Sequence, residues 1–418
     1  MKKILKNRMQ EARLFSGTFV KWLGVSLLIG LLGGFIGSLF YSGVVWANTL
    51  REQNGWLIWL LPLGGLIIAL MYKSSDTEGK NTNNIIDSIL LGDDVDMELL
   101  PVILLSTITT HLFGGSAGRE GAALQIGGSL GCNIGKLLHL DEKEQRIAVL
   151  SGMSAVFSAL FGTPVAASVF ALEVCSVGII HYSGLVPCGI SALTAYLVTR
   201  LFGIAPTRFA LAAFPTEALI VVKVIALAIA CALLSVLFCE IMHLSSRYAE
   251  KLLPNSYLRI FVGGVLIVAL TMLVGNTDYN GGGVGIIVNA VEGGSAKPFA
   301  FLLKILFTAI TLACGFKGGE IVPTFFIGST FGCVLAPVLG LSPQLGAAIG
   351  LIATFCGAVN CPLTSVLLSV ELFGSSDIIY FAIACFISYM LSGYSSLYAE
   401  QKIVYSKLKA EYINRKAE

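Results

Sequence analysis

The chain has 418 residues, of which 56% are hydrophobic and only 12% charged, and its net charge is +2. A water-soluble surface needs more charge than this, so a soluble globular fold is excluded; a mean hydropathy of +0.83 points to an all-α, polytopic membrane protein. A net charge so close to zero gives no reason to expect a nucleic-acid partner.

The N-terminal segment carries Lys2, Lys3, Lys6, Arg8 and Arg13 against Glu11 alone, and the tail carries Lys402, Lys407, Lys409, Arg415 and Lys416. Basic flanks stay on the cytoplasmic side, so both termini are expected there. The first apolar run lacks a small-residue cleavage site and is expected to be a retained helix. Apolar runs then cover 17–46, 56–72, 99–113, 121–138, 147–174, 183–203, 217–242, 259–275, 299–315, 323–340, 344–373 and 377–393. Several exceed the roughly 20 residues that cross a bilayer and several fall short of it. The short ones suggest helices that enter without crossing, which protein or a water-filled cavity must then cover. The 46 glycines suit close helix contacts and broken helices. Trp22, Trp46, Trp56 and Trp59 fall near the ends of the first two runs, as interfacial anchors do. No polar segment after 393 is long enough to fold as a separate regulatory domain, so none is expected. The ten cysteines sit in apolar runs without a CxxC pair and read as small packing residues, so no metal site or cofactor is expected.

The chain repeats itself. SGMSAVFSALFGTPVAASVFALEV (151–174) matches IGLIATFCGAVNCPLTSVLLSVEL (349–372) at constant offset, pairing Gly152 with Gly350, Phe157 with Phe355, Pro164 with Pro362 and Glu173 with Glu371. Upstream, GREGAALQIGGSLGC (118–132) echoes GGEIVPTFFIGSTFGC (318–333) with one residue inserted. The expected division is 1–208 and 209–418, with a proline-bearing linker near 205–217. Duplicated membrane halves are typical of transporters and channels, and inverted repeats place a substrate site near the midplane.

In each half a Gly-rich stretch leads into an apolar helix with a glutamate at the junction, Glu120 or Glu320. A helix start presents free N–H groups and partial positive charge, and so attracts an anion. Glycine lets backbone approach the ion. A carboxylate there can occupy the anion position and leave it when protonated. An ionisable residue at membrane depth costs about 2.5–3.5 kcal/mol on insertion scales, so it usually has a task. The alternative is that Glu120 caps its helix or pairs with Arg119.

GREGA (118–122) resembles the GREGP signature of the CLC chloride channels and transporters, and the two halves, the short helices and the pair Leu397–Tyr398 extend the resemblance over most of the chain. The resemblance implies a homodimer of inverted-repeat subunits in the lipid bilayer, each with its own ion pathway. It implies that Glu120 is the external gate and proton carrier, and that Tyr398 lines the central anion site. Gly121 and Ile321, with Gly118, Gly319 and Val322 as further candidates, complete the implied anion cradle.

The departures from the chloride pattern carry information. KNTNN (80–84) stands where chloride transporters have GSGIP, placing Asn81 at the serine position; GEIVP (319–323) stands for GxFxP, introducing Glu320. The position of a second, inward proton-carrying glutamate is Val174. The set is similar to the fluoride branch of the family, the CLC-type fluoride/proton antiporters, except that Val322 stands where a threonine is common there. Fluoride is small and strongly hydrated, so donors must replace its water. An Asn amide offers two N–H groups, and a protonated Glu320 also donates.

Other polar residues have plainer readings. Arg119 is expected to brace the turn, by a carboxylate or by capping carbonyls. Asn83 and Asn84 either contact the ion or cap a helix. Glu173 and Glu371 recur at matching positions and suggest a fold role at helix ends. Thr324 and Phe325 read as packing. Function is thus expected to be proton-coupled fluoride export across a prokaryotic cell membrane, the alternatives being a chloride/proton exchanger or a passive chloride channel of the same fold. No nucleophile–base pair or metal spacing suggests an enzyme.

Overall fold

The computed structural model describes residues 2–215 and 217–417; Met1, Thr216 and Glu418, and the side chains of residues 2–7 (Lys2, Lys3 and Lys6 among them), 9, 10, 12 and 14, lie outside the described residues. Sixteen α-helices are present among them. The first eight are α1 (Lys2–Gln53), α2 (Leu61–Ser74), α3 (Thr82–Leu90), α4 (Leu99–Phe113), α5 (Glu120–Leu137), α6 (Glu142–Phe161), α7 (Pro164–Glu173) and α8 (Leu185–Leu201). The next eight are α9 (Ala218–Leu252), α10 (Ser256–Val274), α11 (Val284–Val291), α12 (Ala300–Ala313), α13 (Ile321–Leu335), α14 (Pro343–Val359), α15 (Pro362–Phe373) and α16 (Ile378–Leu391). Each series has a long first member and a very short third one. Six helical segments among the described residues are long and apolar enough to cross a bilayer.

Two expected runs are broken. The run 147–174 divides into α6 and α7, and 344–373 into α14 and α15. Gly162 (φ +70) and Asn360 (φ +59) end α6 and α14 in the left-handed conformation, and Pro164 and Pro362 open α7 and α15. A left-handed cap ends a helix, and a proline can start the next because its missing N–H is not needed there. The short α3 and α11 lie outside the apolar runs. An asparagine box sets the start of α3: Asn81 accepts from the Asn83 N–H, and Asn84 accepts from the Asn81 N–H.

Glu173 and Glu371 close the ends of each other's helices. Glu173, at the end of α7, accepts from the N–H groups of Leu363 and Thr364 at the start of α15. Glu371, near the end of α15, accepts from Val165 and Ala166 at the start of α7. The end of each helix therefore meets the start of the other.

Glycine sets the closest helix contacts. On α5 and α6, a Cβ on Gly152 would stand 2.0 Å from the Gly127 carbonyl oxygen; on α13 and α14, a Cβ on Gly332 would stand 2.0 Å from that of Gly346. Some buried hydroxyls bond within their own helices, as Thr271 does to the Ile267 carbonyl, and others bond across helices, as Ser158 does to the Ala192 carbonyl and Ser388 to that of Ala353. That satisfies polar groups where water is absent. All ten cysteines are buried. Trp46, Trp56 and Trp59 are exposed, but Trp22 is buried in an apolar cluster that includes Leu130 and Ile134 and is a core residue, not an anchor.

A small sheet supplements the all-α expectation. β1 (Ser176–Val177) pairs parallel with β2 (Lys402–Tyr405), which pairs antiparallel with β3 (Tyr412–Lys416). Gln401 anchors it, donating to the carbonyls of Val174 and Val359 and accepting from the Asn360 amide. The tail is thereby fixed just beyond Tyr398.

Candidate functional site

Two loops meet at the centre of the molecule. One joins α4 to α5, the other α12 to α13, and they cross at Gly118 and Gly319. Each of these glycines donates its N–H to the other's carbonyl, at 2.7 and 2.8 Å. The crossing leaves no room for a side chain at Gly319, where a Cβ would stand 2.2 Å from the Gly121 nitrogen. The loops brace each other again further back. The Thr311 hydroxyl accepts from the Ser116 N–H, and the Thr110 hydroxyl accepts from the Lys317 N–H.

This places the starts of α5 and α13 together. Glu120 is the first residue of α5 and is fully buried. Its Oε2 accepts from the Arg119 N–H at 2.9 Å, while Oε1 lies 3.4 Å from Arg119 Nε and takes no hydrogen bond. The Arg119 guanidinium lies 4.3 Å over the Tyr41 ring and donates to the Leu160 carbonyl. Arg119 therefore pairs with Glu120, stacks on one helix and caps a carbonyl of another. Glu320 precedes α13, whose first residues Ile321 and Val322 are buried. Pro323 follows and has no N–H, so the free donors of this helix start are few and sit at its tip.

The two glutamates face different cavities. Glu120 lines one of about 380 Å³ with Arg119, Gly118, Val322, Phe161 and Phe325. Glu320 lines one of about 330 Å³ with Asn81, Thr82, Gln125, Lys317 and Tyr398. Among the described residues, none lines both. Gly121 and Gly319 lie between them: a Cβ on Gly121 would stand 2.8 Å from Gly319 Cα and 3.2 Å from Glu320 Oε2. Tyr398 is buried with its hydroxyl unpartnered. Asn81 is exposed at the mouth of the second cavity, and its carbonyl oxygen is engaged in capping α3. Asn84 caps too, while Asn83 accepts weakly from the Glu400 N–H at 3.4 Å.

The family model described as voltage-gated chloride channel matches residues 64–393. The chain belongs to the CLC family. It is 36% identical to a chloride/fluoride channel protein of Pseudomonas syringae pv. tomato, over 93% of this chain and 87% of the relative. It is 24% identical to an H(+)/Cl(-) exchange transporter ClcA of Vibrio cholerae, over 84% and 81% of the two chains. Among solved structures it matches a CLC-type fluoride/proton antiporter with a TM-score of 0.89 and 30% identity, covering 92% of this chain and 98% of that one. It also shares its fold with a cyanobacterial Cl-/H+ antiporter at a TM-score of 0.75 and 21% identity.

Within this CLC chain the structure gives several residues a place that the sequence reading did not. Phe157, Phe161, Phe325, Phe355 and Phe170 form a closed ring of aromatic contacts, with centroids 4.8–6.1 Å apart. Phe325, read as packing, both packs and walls the Glu120 cavity. Lys304 is fully buried in α12 and donates to Ser116 Oγ and to the carbonyls of Tyr279 and Gly281. Lys317 Nζ lies 4.1 Å above the Tyr72 ring, inside the Glu320 cavity. One signal could have found Lys304 and Gln125: strongly polar side chains inside apolar runs are costly in a membrane and so are rarely idle.

Proposed function

We propose that this protein exports fluoride across a prokaryotic cell membrane in exchange for protons. The observation that carries the reading is the pair of carboxylates, Glu120 and Glu320, in separate cavities on either side of a glycine crossing. It is supported by the relative named for chloride and fluoride and by the fluoride/proton antiporter of the same fold. In this reading the Glu120 cavity opens outward and the Glu320 cavity, beside the C-terminal tail, opens to the cytoplasm. The basic flanks at both ends of the chain favour that orientation.

The chemistry follows from what fluoride needs. Its water must be replaced by donors. The N–H groups at the starts of α5 and α13, around Gly121, Ile321 and Val322, with Gly118 and Gly319 behind them, supply some; the Tyr398 hydroxyl supplies another. Asn81 contributes at the mouth of the cavity. Glu120 competes with the anion for the α5 start when ionised and yields it when protonated. Glu320 donates to fluoride when protonated and carries the proton onward otherwise, which Val174 cannot do. HF crosses membranes as a neutral molecule and dissociates inside, and an inward proton gradient then drives fluoride out. We further propose the division at 208/209 and a homodimer, with one pathway per subunit.

The test is efflux from proteoliposomes followed with fluoride and chloride electrodes and an external pH probe. Fluoride efflux exceeding chloride and drawing protons inward is the expected result. Chloride flux equal to fluoride would favour the second reading, a chloride/proton exchanger like the Vibrio relative. Fluoride flux without proton movement would leave a passive channel.

A further inference from the structure

Ser116 and Lys317 occupy matching positions on the two crossing loops. Each donates its N–H to a threonine hydroxyl of the opposite half, Ser116 to Thr311 at 3.0 Å and Lys317 to Thr110 at 3.2 Å. Two residues on from each comes the glycine of the crossing. The side chains differ. Ser116 is buried, and its hydroxyl accepts from the Lys304 ammonium. Lys317 carries its own ammonium into the Glu320 cavity, where Nζ lies 4.1 Å above the Tyr72 ring. A serine meets the backbone role of this position in one half, so that role does not call for a lysine in the other.

Among the described residues the Lys317 ammonium has no hydrogen-bond acceptor and no carboxylate partner. It is not sealed away either: Lys317 is half-buried, its Nζ is not among the buried atoms without partners, and it lines the cavity with Glu320 and Tyr398. The face of an aromatic ring attracts a cation without neutralising it. The charges that act on Lys317 are Arg259, of its own sign, and Glu78. Arg259 lines the same cavity and donates to the Leu253 carbonyl. Glu78 and Glu250, also on the wall, are exposed, and solvent screens them. An unneutralised ammonium at membrane depth is costly and rarely idle. An anion in the cavity supplies the partner it lacks.

We propose that Lys317 is the anion-capture residue of the Glu320 cavity: its ammonium, poised on the Tyr72 ring, binds a small monovalent anion on its way to the helix starts at the crossing. The inference rests on the proposed fluoride/proton exchange and adds to that pathway a subsite recognised by charge. An ammonium attracts fluoride and chloride alike. Lys317 therefore sets how tightly anions are gathered, and the donors at the helix starts sort them.

The test measures initial fluoride and chloride flux against anion concentration in proteoliposomes, the accompanying proton flux, and thermal unfolding, for wild type, Lys317→Met, Lys317→Ser and Lys317→Arg. Lys317→Met is expected to raise KM for fluoride about tenfold, the loss of one charge-assisted contact. KM for chloride should rise by a similar factor, with the maximal rate and the anion-to-proton ratio unchanged. Lys317→Ser, which carries the side chain of the matching position, is expected to do the same, and it carries the test if Lys317→Met does not fold. Lys317→Arg keeps the charge and should restore most of the affinity. A lower unfolding temperature at unchanged KM would show a structural lysine and overturn the proposal. Proton flux lost at unchanged KM would make Lys317 a proton carrier and overturn it too. Wild type that exports fluoride alongside unaltered variants defeats only the role of Lys317. Wild type that moves no fluoride defeats the exchange reading itself, and KM for chloride then decides for or against Lys317 by the same criteria.

Discussion

Gly118 and Gly319 exchange two backbone hydrogen bonds, and that pair fixes the register of the two loops. With Gly118 opposite Gly319, Arg119 corresponds to Glu320 and Glu120 to Ile321; Arg119 and Glu320 indeed occupy the same capping position before α5 and α13. Glu120 and Glu320 are therefore one residue out of step. One residue is about 100° around a helix, which accounts for their facing different cavities. Two carboxylates in strict correspondence would present one chemistry twice; out of step, they serve opposite sides of one crossing.

The crossing predicts a graded pair of variants. Gly319→Ala places a Cβ 2.2 Å from the Gly121 nitrogen, against backbone that cannot retreat. Overpacking typically costs about 1–3 kcal/mol, occasionally more, so this variant should lose its monodisperse peak on size exclusion or unfold at markedly lower temperature. Gly118→Ala meets Glu120 Oε2 first, at 2.8 Å, an atom on a side chain that can swing away, and then the Gly319 carbonyl oxygen and Pro323 Cδ at 3.1 Å, which need give only a few tenths of an ångström. It should fold, with Glu120 displaced and proton coupling altered in the flux assay. Equal effects of the two would contradict the crossing geometry.

The sequence made the architecture legible through its repeats: the glycines 152/350 and glutamates 173/371 make corresponding contacts, and the prolines 164/362 open corresponding helices. It made Glu120 legible because a charged pair in an apolar run is conspicuous. It did not reveal that Glu120 and Glu320 are non-equivalent, since a one-residue insertion aligned by eye slides freely in a glycine-rich stretch. The breaks at Gly162 and Asn360 were hidden because hydropathy does not register a left-handed cap.

The reciprocal caps predict an order of stability. Glu173 takes two N–H bonds and the Thr364 hydroxyl and is buried, whereas Glu371 takes two N–H bonds and is partly exposed. Removing a buried charged acceptor strands its donors at about 1–3 kcal/mol. Glu173→Ala should therefore depress the unfolding temperature in detergent more than Glu371→Ala, and Glu173→Gln, which keeps an acceptor, less than either. The reverse order would mean that the helix ends are held by something else.

Lys304 predicts a local effect. Its ammonium joins Ser116, ahead of α5, to the carbonyls of Tyr279 and Gly281, ahead of α11. Lys304→Met fills the space but leaves two carbonyls without their donor. Hydrogen exchange at residues 277–284 should rise, and the unfolding temperature should fall by an amount in keeping with a loss of about 1–3 kcal/mol. Unchanged exchange across that loop would show that Lys304 is dispensable to it.

The last prediction separates the two glutamates by function. Glu120→Gln retains the shape and the acceptor that receives the Arg119 N–H, but it cannot take up or release a proton. If Glu120 is the gate on its side of the crossing, fluoride should still move while the accompanying proton flux falls at least about tenfold, beyond what the loss of one hydrogen bond explains. Glu320→Gln keeps donor capacity in the other cavity and also abolishes proton release, so fluoride binding should survive while proton movement fails. Glu320→Ile removes both capacities and should weaken fluoride binding as well. Measured together as fluoride and proton flux and as fluoride affinity, the three variants give three different patterns: uncoupled flux, binding without coupling, and loss of both. A common pattern for Glu120→Gln and Glu320→Ile would mean that the two carboxylates share one task, and the out-of-step register would then have no functional consequence.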